Sequence, residues 1–171
     1  MRIVKGKWAG RDLTSPGGSV RPTAEGVRSG WLDLLDQELA GARVLDLFSG
    51  SGALGLEALS RGARYVDFVE NGPAALHALK ANVAALRVKP RARIFKQDAI
   101  PFVERLAENA YDMALADPPY GSAKLDRVLG AWRRAPFARI LAFEHAKDHV
   151  IEWKGKQYDF GGPTRVTVLR R

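Results

Sequence analysis

The chain has 171 residues, 46% apolar and 27% charged, with a formal net charge of +8 and no cysteine. That length and composition suit one globular domain with a buried core and exclude a disordered or fibrous chain. The lack of cysteine excludes disulfides, thiol catalysis and cysteine-based zinc sites. His77, His145 and His149 have no ligand-like spacing, no apolar run is long enough for a bilayer, and Met1 to Lys7 lacks a signal-peptide core, so neither metal nor membrane is expected and the location reads as cytoplasmic.

Residues 2–13 set Ile3, Val4, Trp8 and Leu13 apart with Lys-Gly-Lys and Ala-Gly-Arg, which predicts a short two-stranded ribbon. Residues 1–30 hold the bases Arg2, Lys5, Lys7, Arg11, Arg21 and Arg28 against only Asp12 and Glu25. An excess of that kind points to a polyanion, because lysine and arginine on phosphates release condensed counterions; plain solubility is the other reading. Trp8, among Lys5, Lys7 and Arg11, reads either as part of an RNA-contacting arm or as a core anchor for the ribbon. Ser15-Pro16-Gly17-Gly18-Ser19 is a flexible link. Thr23 is placed to cap a helix through Leu39, with Val27, Trp31, Leu34 and Leu35 near helical spacing and Gly41 closing it.

Strands and helices then alternate. Val44 to Phe48 reads as a strand, Ala53 to Arg61 as a helix ended by Gly62, and Tyr65 to Glu70 as a strand. Asn71 caps a helix that Pro73 begins and that runs to about Leu86. Ala92 to Lys96 is a strand, Pro101 to about Glu108 a helix, Tyr111 to Ala116 a strand, Lys124 to Arg134 a helix and Ile140 to Glu144 a strand. Such alternation forces parallel pairing with helices on both faces. Gln157 to Phe160 and Arg165 to Leu169, joined through Gly161-Gly162-Pro163, read as a hairpin closing one sheet edge. The fold class is therefore α/β, a doubly wound Rossmann-like sheet, mainly parallel with a C-terminal antiparallel hairpin. Residues 1–40 add a ribbon and helix extension to a main domain over 41–171.

Two stretches carry chemistry. Ser49-Gly50-Ser51-Gly52-Ala53-Leu54-Gly55 follows the first strand of the alternation, where glycines let the backbone turn sharply and a ligand approach. Gly50, Gly52 and Gly55, with Glu70, also satisfy the dinucleotide fingerprint. Asp46, however, points an acid at a place where a pyrophosphate would sit, which suits a cationic amino-acid end better. Asp46, Glu70 and Asp98 form a row at successive strand ends that fits a sulfonium nucleoside with two ribose hydroxyls; as a bland reading, Asp46 and Asp98 cap turns and helices. The second stretch, Asp117-Pro118-Pro119-Tyr120, follows the apolar run Met113 to Ala116. It offers a carboxylate and the Pro118 carbonyl to a planar amine, and a ring to stack on an extruded base.

Val44-Leu45-Asp46-Leu47-Phe48-Ser49-Gly50-Ser51-Gly52-Ala53-Leu54-Gly55-Leu56-Glu57-Ala58, together with Ala116 to Tyr120, resembles the class I S-adenosylmethionine-dependent amino-methyltransferases. More narrowly, the opening Arg2-Ile3-Val4-Lys5-Gly6-Lys7-Trp8-Ala9-Gly10-Arg11, the later Arg21-Pro22-Thr23 and Val27-Arg28, and the closing Tyr158 to Arg165 resemble the RsmD-type 16S ribosomal RNA guanine-N2 methyltransferases. One departure is Ser29, where that family usually has an acid. The resemblance implies methyl transfer from S-adenosyl-L-methionine to the exocyclic N2 amine of a guanine in 16S rRNA, within a small ribosomal subunit particle, by a monomer needing no metal. It places the methionine end of the cofactor on Asp46 and Gly50 to Gly52, the ribose on Glu70 and the adenine amine on Asp98, with Phe48, Ser49, Ser51, Asn71, Ala99 and Asp117 completing the cofactor site. The guanine falls to Asp117, Pro118, Pro119 and Tyr120, and the RNA to Arg2, Lys5, Lys7, Trp8, Arg11, Arg21 and Arg28. Competing readings are an N6-adenine or glutamine methyltransferase, a non-catalytic RNA-binding assembly factor, and an NAD-dependent oxidoreductase.

Overall fold

The computed structural model describes residues 1–17 and 25–171. Thr23, read as a helix cap, and Arg21, read as an RNA contact, lie outside the described residues. Helices α1 (Glu25–Asp33) and α2 (Asp36–Leu39) precede an alternating series: β1 (Arg43–Leu47), α3 (Ala53–Ser60), β2 (Tyr65–Glu70), α4 (Pro73–Ala85), β3 (Ala92–Lys96), α5 (Ala99–Val103), β4 (Tyr111–Ala116), α6 (Lys124–Arg134), β5 (Ala138–Ala146), β6 (Lys156–Tyr158) and β7 (Thr164–Arg170). A 3₁₀ turn over Lys89–Arg91 leads into β3.

The strands form a seven-stranded sheet in the order β3-β2-β1-β4-β5-β7-β6. The β1 to β5 pairings are parallel, as the alternation requires. Strand β7 runs antiparallel to β5 and also pairs with β6, so the hairpin inserts its second strand next to the parallel block. Apolar residues on both faces of β1 and β4 bury into two clusters. Val44, Met113 and Leu115 join Leu56, Phe68 and Leu79 in one; Leu45, Leu47, Ala114 and Ala116 join Phe102, Val128 and Trp132 in the other. Near-continuous burial along a strand, with both faces covered, is the signature of a central parallel strand.

The N-terminal extension shares the first of these clusters, with Ile3, Leu13, Trp31, Leu32, Leu35 and Leu39 packed against Val44 and Leu56. The helix expected through Leu39 breaks at Leu35, which has φ −118° and ψ 2°. The expected ribbon is reduced to one antiparallel bridge between Arg2 and Asp12, with Ile3 N–H on the Arg11 carbonyl and Gly10 N–H on the Ile3 carbonyl. Pairing does not extend because Glu57 takes the Val4 and Lys5 N–H groups, each at 2.8 Å, and Ser60 takes those of Lys7 and Trp8. Helix α5 starts earlier than Pro101 and ends before Glu108. Its cap is Asp98, whose side chain accepts from Ile100 N–H at 2.8 Å, and Pro101 falls in the first turn, where its missing N–H costs little.

Candidate functional site

The carboxyl ends of β1, β2 and β4 lie side by side, with Leu47 in register with both Val69 and Ala116. The loop after β1 turns at Phe48 and Gly50, with φ of 58° and 56°. A positive φ at a phenylalanine is a strained conformation of the kind that gathers at ligand sites. Ser49 Oγ donates to the carbonyls of Asp46 (2.7 Å) and Val69 (3.1 Å), and Gly52 N–H closes the turn on the Ser49 carbonyl at 2.7 Å. A Cβ at Gly52 would stand 2.3 Å from Leu79 and one at Gly55 2.5 Å from Phe68, whereas at Gly50 it would meet nothing within 4 Å. Gly52 and Gly55 thus serve helix packing, and Gly50 faces open space where a ligand has room. Asn82 of α4, buried, donates to the Ser51 carbonyl at 2.9 Å and exchanges hydrogen bonds with Thr14, tying loop and N-terminal segment together.

The alternation of β1 puts Asp46 on the α3 face beneath this loop. It is 2% exposed and accepts from Gly55 N–H at 3.0 Å. Burial, opposed by that hydrogen bond and reinforced by the charges of Asp117 and Glu70, pushes its carboxyl from 3.8 up to about 8. Glu70 accepts from Gly50 N–H (2.9 Å) through one oxygen and from Asn71 and Gly72 N–H (2.9 and 2.7 Å) through the other. The cap position of α4 is therefore Gly72, not Asn71, since Glu70 has already drawn the Asn71 N–H back on itself. Asn71 is exposed, its side chain 3.4 Å from Asp98 Oδ2, and Ala99 is buried in the first turn of α5. Asp98 caps α5 with one oxygen and turns the other towards Lys124, 3.8 Å away, whose ammonium lies 5.7 Å from the Phe48 ring centre.

Asp46 carries a pH signature. Its folded-state carboxyl titrates above its unfolded value, so the stability it contributes is complete below about pH 4 and is lost as the pH rises towards 8, at about 1.4 kcal/mol per pH unit. Comparing melting temperatures of wild type and Asp46→Asn from pH 4 to 9 should give a flatter curve for the variant over that window. Parallel curves would mean that Asp46 ionises normally.

Continuing the β4 alternation, Asp117 falls on the face of Met113, Leu115 and Asp46, where its charge reaches both Asp46 and Tyr120. Pro118 is buried and Pro119 exposed; Ser122 Oγ donates to the Pro119 carbonyl at 2.6 Å, and the Pro118 carbonyl accepts no hydrogen bond among the described residues. Tyr120 is 52% exposed, yet its hydroxyl donates to Glu144 Oε1 at 2.7 Å, and Thr164 Oγ1 donates to the same oxygen at 2.7 Å. Burial and the Glu144 bond hold the phenol's pKa well above its usual value, so it stays a donor. The ring is tethered at its polar end and open along its body. Phenylalanine would keep the ring and lose the tether. Sequence reading missed Glu144, although an acid ending an apolar strand is the same signal that marked Asp46; it also missed Lys124 and Asn82, whose partners lie far along the chain.

The basic residues divide. Arg2 pairs with Glu25 at 3.3 Å and Lys5 with Asp33 at 2.6 Å, both on the surface, and Arg11 is exposed. Lys7 is exposed and Trp8 half-buried against the core, with the Lys7 ammonium and the Arg91 guanidinium 5.5 and 5.4 Å from its ring centre. Arg28 is not a surface contact: it is 1% exposed, donates to the Arg2 carbonyl and lies 3.8 Å from Glu57, its Nε and Nη1 without hydrogen-bond partners among the described residues. Burial lowers its pKa, and Glu57 opposes that fall. Ser29 turns its hydroxyl to Arg61 at 3.2 Å, a guanidinium already paired with Glu57, Asp33 and Asp36.

Comparison with known proteins gives a consistent relationship. The family model described as conserved hypothetical protein 95 matches residues 1–152. Over 132 residues the chain is 36% identical to YlbH of Bacillus subtilis, provisionally described as an rRNA methyltransferase, covering 75% of this chain and 72% of that one. Over 130 residues it is 35% identical to ribosomal RNA small subunit methyltransferase D of Escherichia coli, covering 75% of this chain and 65% of that protein. A solved Escherichia coli structure, yhhF, provisionally described as a methyltransferase, superposes with a TM-score of 0.86 at 27% identity, over 100% of this chain and 97% of its own.

Proposed function

This chain belongs to the family described as conserved hypothetical protein 95, the RsmD type, and from that premise we propose that it is an S-adenosylmethionine-dependent methyltransferase of small-subunit ribosomal RNA. The finer reading is that the methyl group goes to the exocyclic N2 amine of a guanine in 16S rRNA, presented by a small-subunit particle to a cytoplasmic monomer. The observation that carries it is the placement of Asp117 to Tyr120 on the sheet edge that also holds the glycine loop, close enough for the charges of Asp117 and Glu70 both to reach Asp46.

The residues present suit the cofactor. Open space at Gly50 admits a ligand over the loop, and a cationic amino group docked there would draw the Asp46 carboxyl back to its ionised form. Glu70, half-buried beside Gly50, would face the ribose, and Asp98 the adenine. When bound, S-adenosylmethionine supplies a methyl group on a positively charged sulfur, open to in-line displacement. The chain's task is to present the amine. A base amine is a poor nucleophile because its lone pair is delocalised into the ring. Hydrogen bonds to Asp117 and the Pro118 carbonyl polarise its N–H bonds and orient it, and positioning of this kind is a large part of the barrier lowering an enzyme achieves. Tyr120, pinned through Glu144, offers a fixed platform for an extruded base. An ordinary carboxylate is too weak a base to take the amine proton first, so Asp117 receives it only as the amine becomes acidic on methylation.

Mass mapping of small-subunit rRNA digests from cells with and without the protein tests this. One guanine methylated at N2 only when the protein is present is the expected result. Methyl on adenosine would redirect the specificity, and an unchanged map would overturn the reading.

A further inference from the structure

The Lys5 to Trp8 turn is not a free arm. Lys7 N–H donates to the Ser60 carbonyl at 2.8 Å, Trp8 N–H to Ser60 Oγ at 2.9 Å, and Ser60 Oγ to the Lys5 carbonyl at 2.6 Å. Gly6 approaches so closely that a Cβ would lie 2.1 Å from the Ser60 carbonyl oxygen, and its φ is 83°. Ser60 ends α3, a helix that runs away from the glycine loop. The turn therefore sits at the amino edge of the sheet, opposite Asp117 and Tyr120. The same edge carries the connection from α4 into β3. There Lys7, Trp8, Arg87 and Arg91 line a groove of about 560 Å³.

Two features separate this groove from ordinary charged surface. Lys7, Arg87, Arg91 and the neighbouring Lys89 have no carboxylate partner among the described residues, whereas Arg2 and Lys5 on the same segment do. Lys7 and Arg91 are instead held against the Trp8 ring, an arrangement that positions cations without neutralising them. Second, Arg87 has φ 55° immediately after Leu86, the C-cap of α4. Glycine is the residue favoured at that left-handed position; the Arg87 and Val88 N–H groups cap the helix on the Ala84 and Val83 carbonyls at 3.0 and 3.1 Å, and the exposed Arg87 side chain makes no ion pair among the described residues.

We propose that this groove is an RNA-contact surface, with Lys7, Arg87 and Arg91 taking backbone phosphates of the substrate where it runs past the amino edge. The inference rests on the reading of the protein as an rRNA methyltransferase and adds a contact remote from the methylated base. Strands of about six residues separate the two edges by roughly 20 Å, so only RNA extending well beyond the target nucleotide reaches the groove.

The test compares wild type, Arg87→Gly and the double variant Arg87→Gly/Arg91→Gln. Two RNAs are used across a salt series: unmethylated small-subunit rRNA and a short hairpin carrying only the target nucleotide. Arg87→Gly should melt no lower than wild type and bind S-adenosylmethionine equally well. Its affinity for the long RNA should fall about threefold to tenfold, with the slope of log affinity against log salt reduced by about one for each charge removed. Its KM for the long RNA should rise with kcat retained, and the short hairpin should bind all three proteins alike. Unchanged affinity and slope for the long RNA, or an equal loss on the hairpin, would overturn the groove while leaving a methylating wild type intact. A wild type that neither binds nor methylates the rRNA would remove the functional reading itself.

Discussion

Asp117→Ala is expected to lower kcat for methyl transfer by on the order of 10²–10³-fold, the usual consequence of deleting one preorganised polar contact to the reacting group. Affinity for S-adenosylmethionine should change little, because the loop is built from Ser49, Glu70 and the Asp46–Gly55 bond, none of which depends on Asp117 for its geometry. Removing the charge should also let Asp46 ionise at a lower pH, since Asp117 raises its pKa. Asp117→Asn, which keeps one acceptor oxygen, should fall between. Single-turnover rates with saturating cofactor, set beside cofactor titration, separate the effects. An alanine variant with near wild-type kcat would remove Asp117 from the chemistry.

The largest loss of stability should follow Glu57→Ala. Glu57 is fully buried; it accepts the Val4 and Lys5 N–H groups at 2.8 Å, accepts Nε and Nη2 of Arg61 at 3.2 Å, and lies 3.8 Å from Arg28. Alanine would take from the buried Arg28 guanidinium its main opposing charge, leaving only the Arg2 carbonyl and the charge of Glu25, and would leave two main-chain donors unpaired. Losing one partner of a buried pair costs about 3–5 kcal/mol, a large share of the 5–15 kcal/mol typical of a domain. Urea denaturation should show a loss of that size, and trypsin should cut at Lys5 before global unfolding, because the carboxylate clamps the start of that turn to α3 while Ser60 holds the rest. Glu57→Gln, keeping an acceptor but no charge, should lose less and fold. A change below about 1 kcal/mol for both variants would show that the extension is held by its apolar contacts alone.

Much of this architecture is legible in short windows of the chain. The bounds of β2, β3, β4 and α6 coincide with those read from periodicity, because alternation, a Gly or Pro stop and a long amphipathic face are all local. The glycine loop and the acids Asp46, Glu70 and Asp117 are legible for the same reason: in a parallel sheet, strand ends converge on one edge whatever the details of packing. Arg28 shows where that reasoning stops. A base in a polar helix segment reads as exposed, and nothing within ten residues of it reveals the Glu57 waiting on α3.

The amino-acid sequence by itself therefore determined the α/β alternation and the gathering of the glycine loop, Asp46, Glu70 and Asp117 at one sheet edge, since each follows from backbone preferences and side-chain periods a few residues long. Only the tertiary structure decided which charges are spent inside the protein and which remain for a ligand. Arg28 with Glu57, Tyr120 with Glu144, and Asn82 bridging Thr14 to Ser51 are pairings between distant segments, brought together by the packing of helices on the sheet. The same packing leaves Lys7, Arg87 and Arg91 together at the opposite edge.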